Sequence, residues 1–207
     1  MADCKISFLD VSQIDSDVLN EHYSIMDETR KKETDALPSE LKRKQKIAAD
    51  MLCRQMISEK CGIPENEIIF SKNGFGKPFA VNADIRFSIS HCESFVVCAV
   101  SDNEIGIDIE KIRDIRFKAA EKFCTENEIN YIGNNLKRFF EIWTLKEAFF
   151  KCKGTGLGAD IKTVSFAINS EKIFCTENGY ELSCSEFGGE YIYSVCISNK
   201  EDIHGNN

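Results

Sequence analysis

No run of roughly eighteen apolar residues occurs anywhere in the chain, which excludes a membrane-spanning helix. The opening residues, Met1-Ala2-Asp3-Cys4-Lys5, lack a basic stretch followed by an apolar block. A secretory signal is therefore not expected, and a cytoplasmic protein is. Cys-x-x-Cys is also missing, although there are ten cysteines, and only three histidines are available to complete a zinc site. Cys53, Cys98 and Cys196 stand in apolar surroundings, so reduced and mostly buried thiols are the better expectation than zinc or disulfides. No low-complexity segment is present. Positive charge is scarce: the net charge of −8 argues against a general nucleic-acid binder. What remains is 207 residues with 43% hydrophobic content, enough for one large domain or two small ones.

The positive charge that exists is concentrated early. Arg30-Lys31-Lys32 and Lys42-Arg43-Lys44 with Lys46 form either an exposed helix face or an anion site, and composition does not choose between them.

Pattern places a strand at Ile6–Leu9 and a helix over about Ser16 to Lys32. A second helix starts near Pro38-Ser39-Glu40, continues through Ala48, Leu52 and Met56, and stops at Gly62. Ile85, Phe87 and Ile89 alternate with Arg86, Ser88 and Ser90 as in a half-buried strand; Ser90–Glu93 is read as its bend, and Phe95–Val100 as a buried partner. Ser101-Asp102-Asn103 marks a midpoint, dividing residues 1–103 from 104–200, with a polar tail at 201–207. Phe117–Cys124 looks helical, and Thr125 to Glu128 fits a capping box for a following helix. A long helix spans about Asn135 to Lys153. The glycines at 154, 156 and 158 follow it and read as a helix stop, since a phosphate loop would precede its helix. Val164–Ile168, Tyr180–Ser183 and Tyr191–Ile197 suggest an antiparallel meander. Both halves carry helix followed by strands, which allows a degenerate duplication.

Two stretches carry chemistry. In Ile105 to Glu110, alternation sets Asp108 and Glu110 side by side on one face, with Ile105, Ile107 and Ile109 on the other. Neighbouring carboxylates repel, so either solvent or a hard cation such as Mg²⁺ must relieve them. On the long helix, Trp143, Glu147 and Lys151 share one side, while Ile142, Leu145 and Phe149 face a core. Glu147 and Lys151 are either a surface ion pair or part of a three-carboxylate metal site with a neighbouring phosphate contact. His91 is either a partly buried strand-end side chain or, with Ser90, a contact for a diphosphate.

Gly76-Lys77-Pro78, Phe87-Ser88-Ile89-Ser90-His91, Gly106-Ile107-Asp108-Ile109-Glu110, Phe123-Cys124-Thr125-Glu126-Asn127-Glu128, and Trp143-Thr144-Leu145-Lys146-Glu147-Ala148 with Lys151 and Gly154-x-Gly156-Leu157 follow one another in order. Their order and spacing resemble the phosphopantetheinyl transferases of the Sfp type over about Gly74 to Leu157. Outside that stretch the chain matches only in length and element pattern. The resemblance implies an α+β fold of two similar subdomains in pseudo-twofold arrangement, with mainly antiparallel sheets and packed long helices. It implies transfer of the 4′-phosphopantetheine arm of coenzyme A to a serine of an apo acyl or peptidyl carrier protein, by a monomer. Mg²⁺, with Mn²⁺ as a substitute, is the implied metal, held by Asp108, Glu110 and Glu147. Lys77, Ser90, His91 and Lys151 would contact coenzyme A phosphates, with Asp108 beside them, and Glu147 and Lys151 would serve catalysis. Arg30 and Lys46 are the nearest matches for the 3′-phosphate side. Glu33 and Gln45 depart from the basic residues expected there, leaving Lys31, Lys32, Lys42 or Arg43 as substitutes. The alternatives are a protein that binds coenzyme A or carrier domains without chemistry, and a Mg²⁺-dependent phosphohydrolase.

Overall fold

The computed structural model describes residues 4–169 and 172–199; the expected polar tail lies outside them. Strand β1 (Cys4–Asp10) leads to helix α1 (Ser16–Ile25), capped by Asp15, whose carboxylate accepts from the Asp17 amide. The expected single helix to Lys32 is in fact two. Met26 turns extended and buries its side chain, and Asp27 accepts from the Arg30 amide at 2.9 Å to start α2 (Glu28–Asp35). Helix α3 (Glu40–Cys61) is capped by Ser39, with Pro38 outside it, and ends at Gly62 with φ of 71°.

A short ribbon, β2 (Phe70–Lys72) with β3 (Pro78–Ala80), precedes β4 (Arg86–Cys92) and β5 (Phe95–Ser101). The bend expected at Ser90–Glu93 is only the turn Glu93–Ser94, because the ladder continues to Cys92 opposite Phe95. Ser90 and His91 therefore point to opposite faces of one strand. Strand β6 (Ile105–Lys111), helix α4 (Glu126–Ile132) and helix α5 (Leu136–Lys153) follow. The capping box at Thr125 and Glu128 forms as expected, while Phe117–Lys122 is a 3-10 turn. The last strands are β7 (Phe166–Asn169), β8 (Lys172–Cys175), β9 (Tyr180–Phe187) and β10 (Tyr191–Ser198). They are not one meander: β7 pairs with β8, and β9 and β10 join β6.

The two larger sheets have the same plan. In the order β1-β5-β4, and again in β6-β10-β9, the first strand of each half lies beside the last, antiparallel throughout. Each half packs one long helix on its outer face. Ala48, Leu52, Met56 and Ile57 of α3 cover Val96, Cys98 and Val100, while Ile142, Leu145 and Phe149 of α5 cover Ile192 and Cys196. Between the sheets a third core forms from Ile105, Ile107 and Ile109 with Val97, Ala99, Val195 and Ile197, all at most 1% exposed. Burying each isoleucine contributes about 1.5–3 kcal/mol, so this layer fixes the face that β6 turns inward.

Along the seam between the halves no ladder joins β4 to β6. Instead the side chains of Ser88, Ser90 and Cys92 accept from the amides of Ile107, Ile109 and Lys111 at 3.1, 3.4 and 3.3 Å. The two halves are thus one body, and the carboxylate strand stands at its centre.

Candidate active site

Gly106 decides how closely α5 approaches β6. A Cβ there would stand 1.8 Å from the Ala148 carbonyl oxygen, so only glycine admits the helix at this distance. With the helix seated, three contacts run down the interface in antiparallel order. Trp143 Nε1 donates to Glu110 Oε1 at 3.3 Å, Lys151 Nζ donates to Asp108 Oδ1 at 2.7 Å, and Cys152 Sγ donates to the Glu104 carbonyl at 3.2 Å. Lys151 also bonds the Ile107 carbonyl at 3.1 Å.

Asp108 is 5% exposed. Its Oδ1 accepts from both Lys151 and Ser90 Oγ, each at 2.7 Å, whereas Oδ2 is buried with no hydrogen-bond partner. Burial raises its pKa above the usual carboxylate value, against the pull of Lys151 and Ser90. Glu147, midway between Trp143 and Lys151 on the helix, has no hydrogen bond or ion pair with the described residues. Burial, with the charges of Asp108 and Glu110 nearby, pushes its pKa up to about 7. Of the two alternatives for Glu147 and Lys151, the surface pair does not form, because Lys151 pairs with Asp108. Glu110 is engaged at both oxygens, by Trp143 and by Arg113 Nη1 at 2.7 Å.

Beside this group lies a cleft of about 430 Å³ with a cationic lining: Arg30, Lys42, Lys46, Lys72 and His91. His91 keeps its outer edge exposed. Packing around the ring, then the nearby Lys151 ammonium, lower its imidazole pKa. Arg30 sits over the Phe70 ring at 4.4 Å and pairs with Asp50 at 2.6 Å. A second cleft, of about 240 Å³, continues past Gly76, Pro78 and Ile89 and is lined by Lys77, Ser88, Phe150 and Lys151. Lys77 reaches across the seam to Glu104 Oε2 at 2.7 Å and the Cys152 carbonyl at 3.0 Å, so its ammonium is already paired. Of the four substitutes, Lys31 bonds the Ser24 carbonyl and Arg43 the Leu37 carbonyl, and Lys42 lines the cleft whereas Lys31, Lys32 and Arg43 do not.

Two sequence models match consecutive stretches of the chain. One, "4′-phosphopantetheinyl transferase, N-terminal", covers residues 17–103, and the other, "4′-phosphopantetheinyl transferase superfamily", covers residues 104–196. The chain belongs to this superfamily. Among its relatives, the 4′-phosphopantetheinyl transferase gsp of Aneurinibacillus migulanus is 41% identical over 54% of this chain and 48% of its own length. The 4′-phosphopantetheinyl transferase Sfp of Bacillus subtilis (strain 168) is 30% identical over 60% of this chain and 58% of its own. A further 4′-phosphopantetheinyl transferase of Bacillus subtilis is 28% identical over 77% of this chain and 76% of its own length. The chain spans about half the length of the first two relatives.

The superfamily's metal has a partial receptacle here. Among the described residues no three His, Cys, Asp or Glu side chains are gathered closely enough to hold a metal as they stand. A buried carboxylate oxygen without a partner at Asp108, and a glutamate whose pKa is raised to about 7 by burial and then by two nearby acids, are nonetheless what a hard cation would satisfy. The donor set fits, with Asp108 and Glu147 open and Glu110 able to join by releasing Arg113 or Trp143. Sequence reasoning missed Arg113, whose register opposite Glu110 depends on the turn after β6. It also passed over Lys146. That side chain is fully buried, paired with Glu128 at 3.1 Å and bonded to the carbonyls of Ile161 and Val164. A lysine one residue before Glu147 in an otherwise apolar helix face was the available signal.

Proposed function

We propose that this chain transfers the 4′-phosphopantetheine arm of coenzyme A to a serine hydroxyl of an apo acyl or peptidyl carrier protein, releasing adenosine 3′,5′-bisphosphate. The observation that supports this reading is Asp108, with its open oxygen, near Glu147 and bonded to Lys151, which lines a cleft sharing Gly76, Pro78 and Ile89 with the cationic one. Residues 1–103 supply the coenzyme A half and residues 104–200 the metal half. The chain acts as a monomer in the cytoplasm.

The cleft cations receive the phosphates of coenzyme A, with Lys151 and His91 on the diphosphate and Arg30 and Lys46 towards the 3′-phosphate. Ser90 holds Asp108 in place, and Lys77, tied to Glu104, fixes the wall of the second cleft. In the reaction the carrier serine oxygen bonds to the β-phosphorus as the bond to the bisphosphate oxygen breaks. Glu147 accepts the serine proton. Lys151 neutralises charge that grows on the departing bisphosphate. Asp108, Glu110 and Glu147 would hold Mg²⁺, or Mn²⁺ in its place, which when bound supplies further neutralisation to the diphosphate. Because the chain carries −8 and carrier proteins are acidic, docking depends on a local patch, not on net charge.

Intact-protein mass spectrometry tests the reading. An apo carrier incubated with the chain, coenzyme A and Mg²⁺ should gain one phosphopantetheine arm, and a chelator should abolish the gain. Binding of coenzyme A without any gain on a panel of carriers would make the chain a binding protein. Free phosphopantetheine in solution would make it a hydrolase.

A further inference from the structure

Two cations of the cleft are already paired with a carboxylate of the protein itself. Lys46 Nζ stands 3.1 Å from Glu33 Oε2, and Lys72 Nζ bonds the other oxygen of the same carboxylate. Both lysines line the cleft. Glu33 rises from α2 and is about a third exposed at its side chain, 32%. The Lys72 hydrogen bond, then Lys46, hold its pKa below the ordinary value, so it is ionised wherever the cleft meets its ligand. Of the other cleft cations, Arg30 faces Asp50, which Arg54 and His22 share, and Lys42 has no acidic partner among the described residues.

We propose that Glu33 is a specificity-determining residue, an internal stand-in for a phosphate that an incoming ligand must displace from Lys46 and Lys72. The inference rests on the functional reading above and deepens it. With Lys151 and His91 engaged by the diphosphate, and Arg30 shared between Asp50 and the ligand, Lys46 and Lys72 are the pair that meets the phosphate monoester at the other end of coenzyme A. A monoester arriving there breaks two charge-assisted contacts to make two of the same kind, so its presence adds little net affinity. The chain therefore distinguishes coenzyme A only weakly from 3′-dephospho-coenzyme A. Were the carboxylate absent, two unpaired ammonium groups would face the monoester, and the distinction would sharpen.

The test is calorimetric binding of coenzyme A and of 3′-dephospho-coenzyme A to the wild-type chain and to Glu33→Gln. Glutamine keeps the shape and removes the charge at a partly exposed helix position. The wild type should prefer coenzyme A by less than about fivefold, and the variant by about tenfold more than the wild type. The gain should come from tighter coenzyme A, with the affinity for the dephospho compound within about twofold. Adding Lys72→Met to Glu33→Gln should bring the preference back towards that of the wild type. An unchanged ratio in Glu33→Gln, or weaker coenzyme A binding, would overturn the proposal, the latter because Glu33 would then be orienting the lysines. No binding of either compound by the wild type would instead overturn the functional reading, and this inference with it.

Discussion

Replacing Gly106 by Ala puts a methyl group where the backbone of α5 already is. The new carbon would stand 1.8 Å from Ala148 O, 2.5 Å from Cys152 N and 2.9 Å from Ala148 C. None of these obstacles is a side chain that can swing away. The helix would have to withdraw by about 1.5 Å to restore ordinary contact, and cores resist such overpacking at about 1–3 kcal/mol. The same withdrawal stretches the 2.7 Å bond from Lys151 to Asp108 beyond hydrogen-bond range. Losing a hydrogen bond to a charged group costs about 1.5–3 kcal/mol more. The total is about 2.5–6 kcal/mol, which for a chain of this size lowers Tm by roughly 5–20 °C. Trp143, the one tryptophan, lies in the strained interface against Phe123 at a 4.7 Å ring separation. Its fluorescence during thermal and urea unfolding should report both the lower midpoint and an altered native baseline. A Gly106→Ala protein melting within about 2 °C of wild type would refute the close-approach argument.

Glu147→Gln should abolish turnover on a carrier protein while leaving the melting temperature equal or higher, since it removes a carboxyl disfavoured in its charged form; near-normal turnover would remove Glu147 from the mechanism. Arg30→Ala and Lys46→Ala should each weaken coenzyme A binding by only about two- to fourfold, measured by calorimetry, because Asp50 and Glu33 already pair with these cations; unchanged affinity in both would mean that the 3′-phosphate lies elsewhere. Burial alone would raise the Asp50 pKa, but His22, Arg30 and Arg54 outweigh it and hold it below the ordinary aspartate value. Its contribution to stability is thus present above pH about 4 and is lost as pH falls through the lower folded value. Asp50→Asn should flatten that part of the acid-unfolding profile, and an unaltered slope would count against the network. Lys146→Met leaves Glu128 buried without its cation and should cost about 3–5 kcal/mol in urea melts.

Local signals were the legible ones. The alternation of Ile105 to Glu110, the side of α5 shared by Trp143, Glu147 and Lys151, the Gly62 stop and the Thr125–Glu128 box depend on neighbours within a turn or a strand pair. The break between α1 and α2 was equally local: Asp27 before Glu28 is an N-cap signal that the apolar spacing overrode. What sequence could not carry is pairing across distance. That β10 inserts between β6 and β9, that Lys77 reaches Glu104, and that Glu33 meets both Lys46 and Lys72 follow from the packing of halves that no short window contains. The fold of two matching subdomains came from the resemblance, and the repeated strand order agrees with it.

Ser90 holds two offices at once. Its oxygen accepts from the Ile109 amide, stitching one half of the molecule to the other, and its proton goes to Asp108 at 2.7 Å. Sliding β4 by one residue against β6 would offer Phe87, Ile89 and His91 where Ser88, Ser90 and Cys92 now stand, and neither hydrocarbon could take up the amides. The alignment of the halves and the aim of the reactive acid are therefore one adjustment. Evolution cannot loosen the joint and keep the chemistry, nor retune the acid there without disturbing the join.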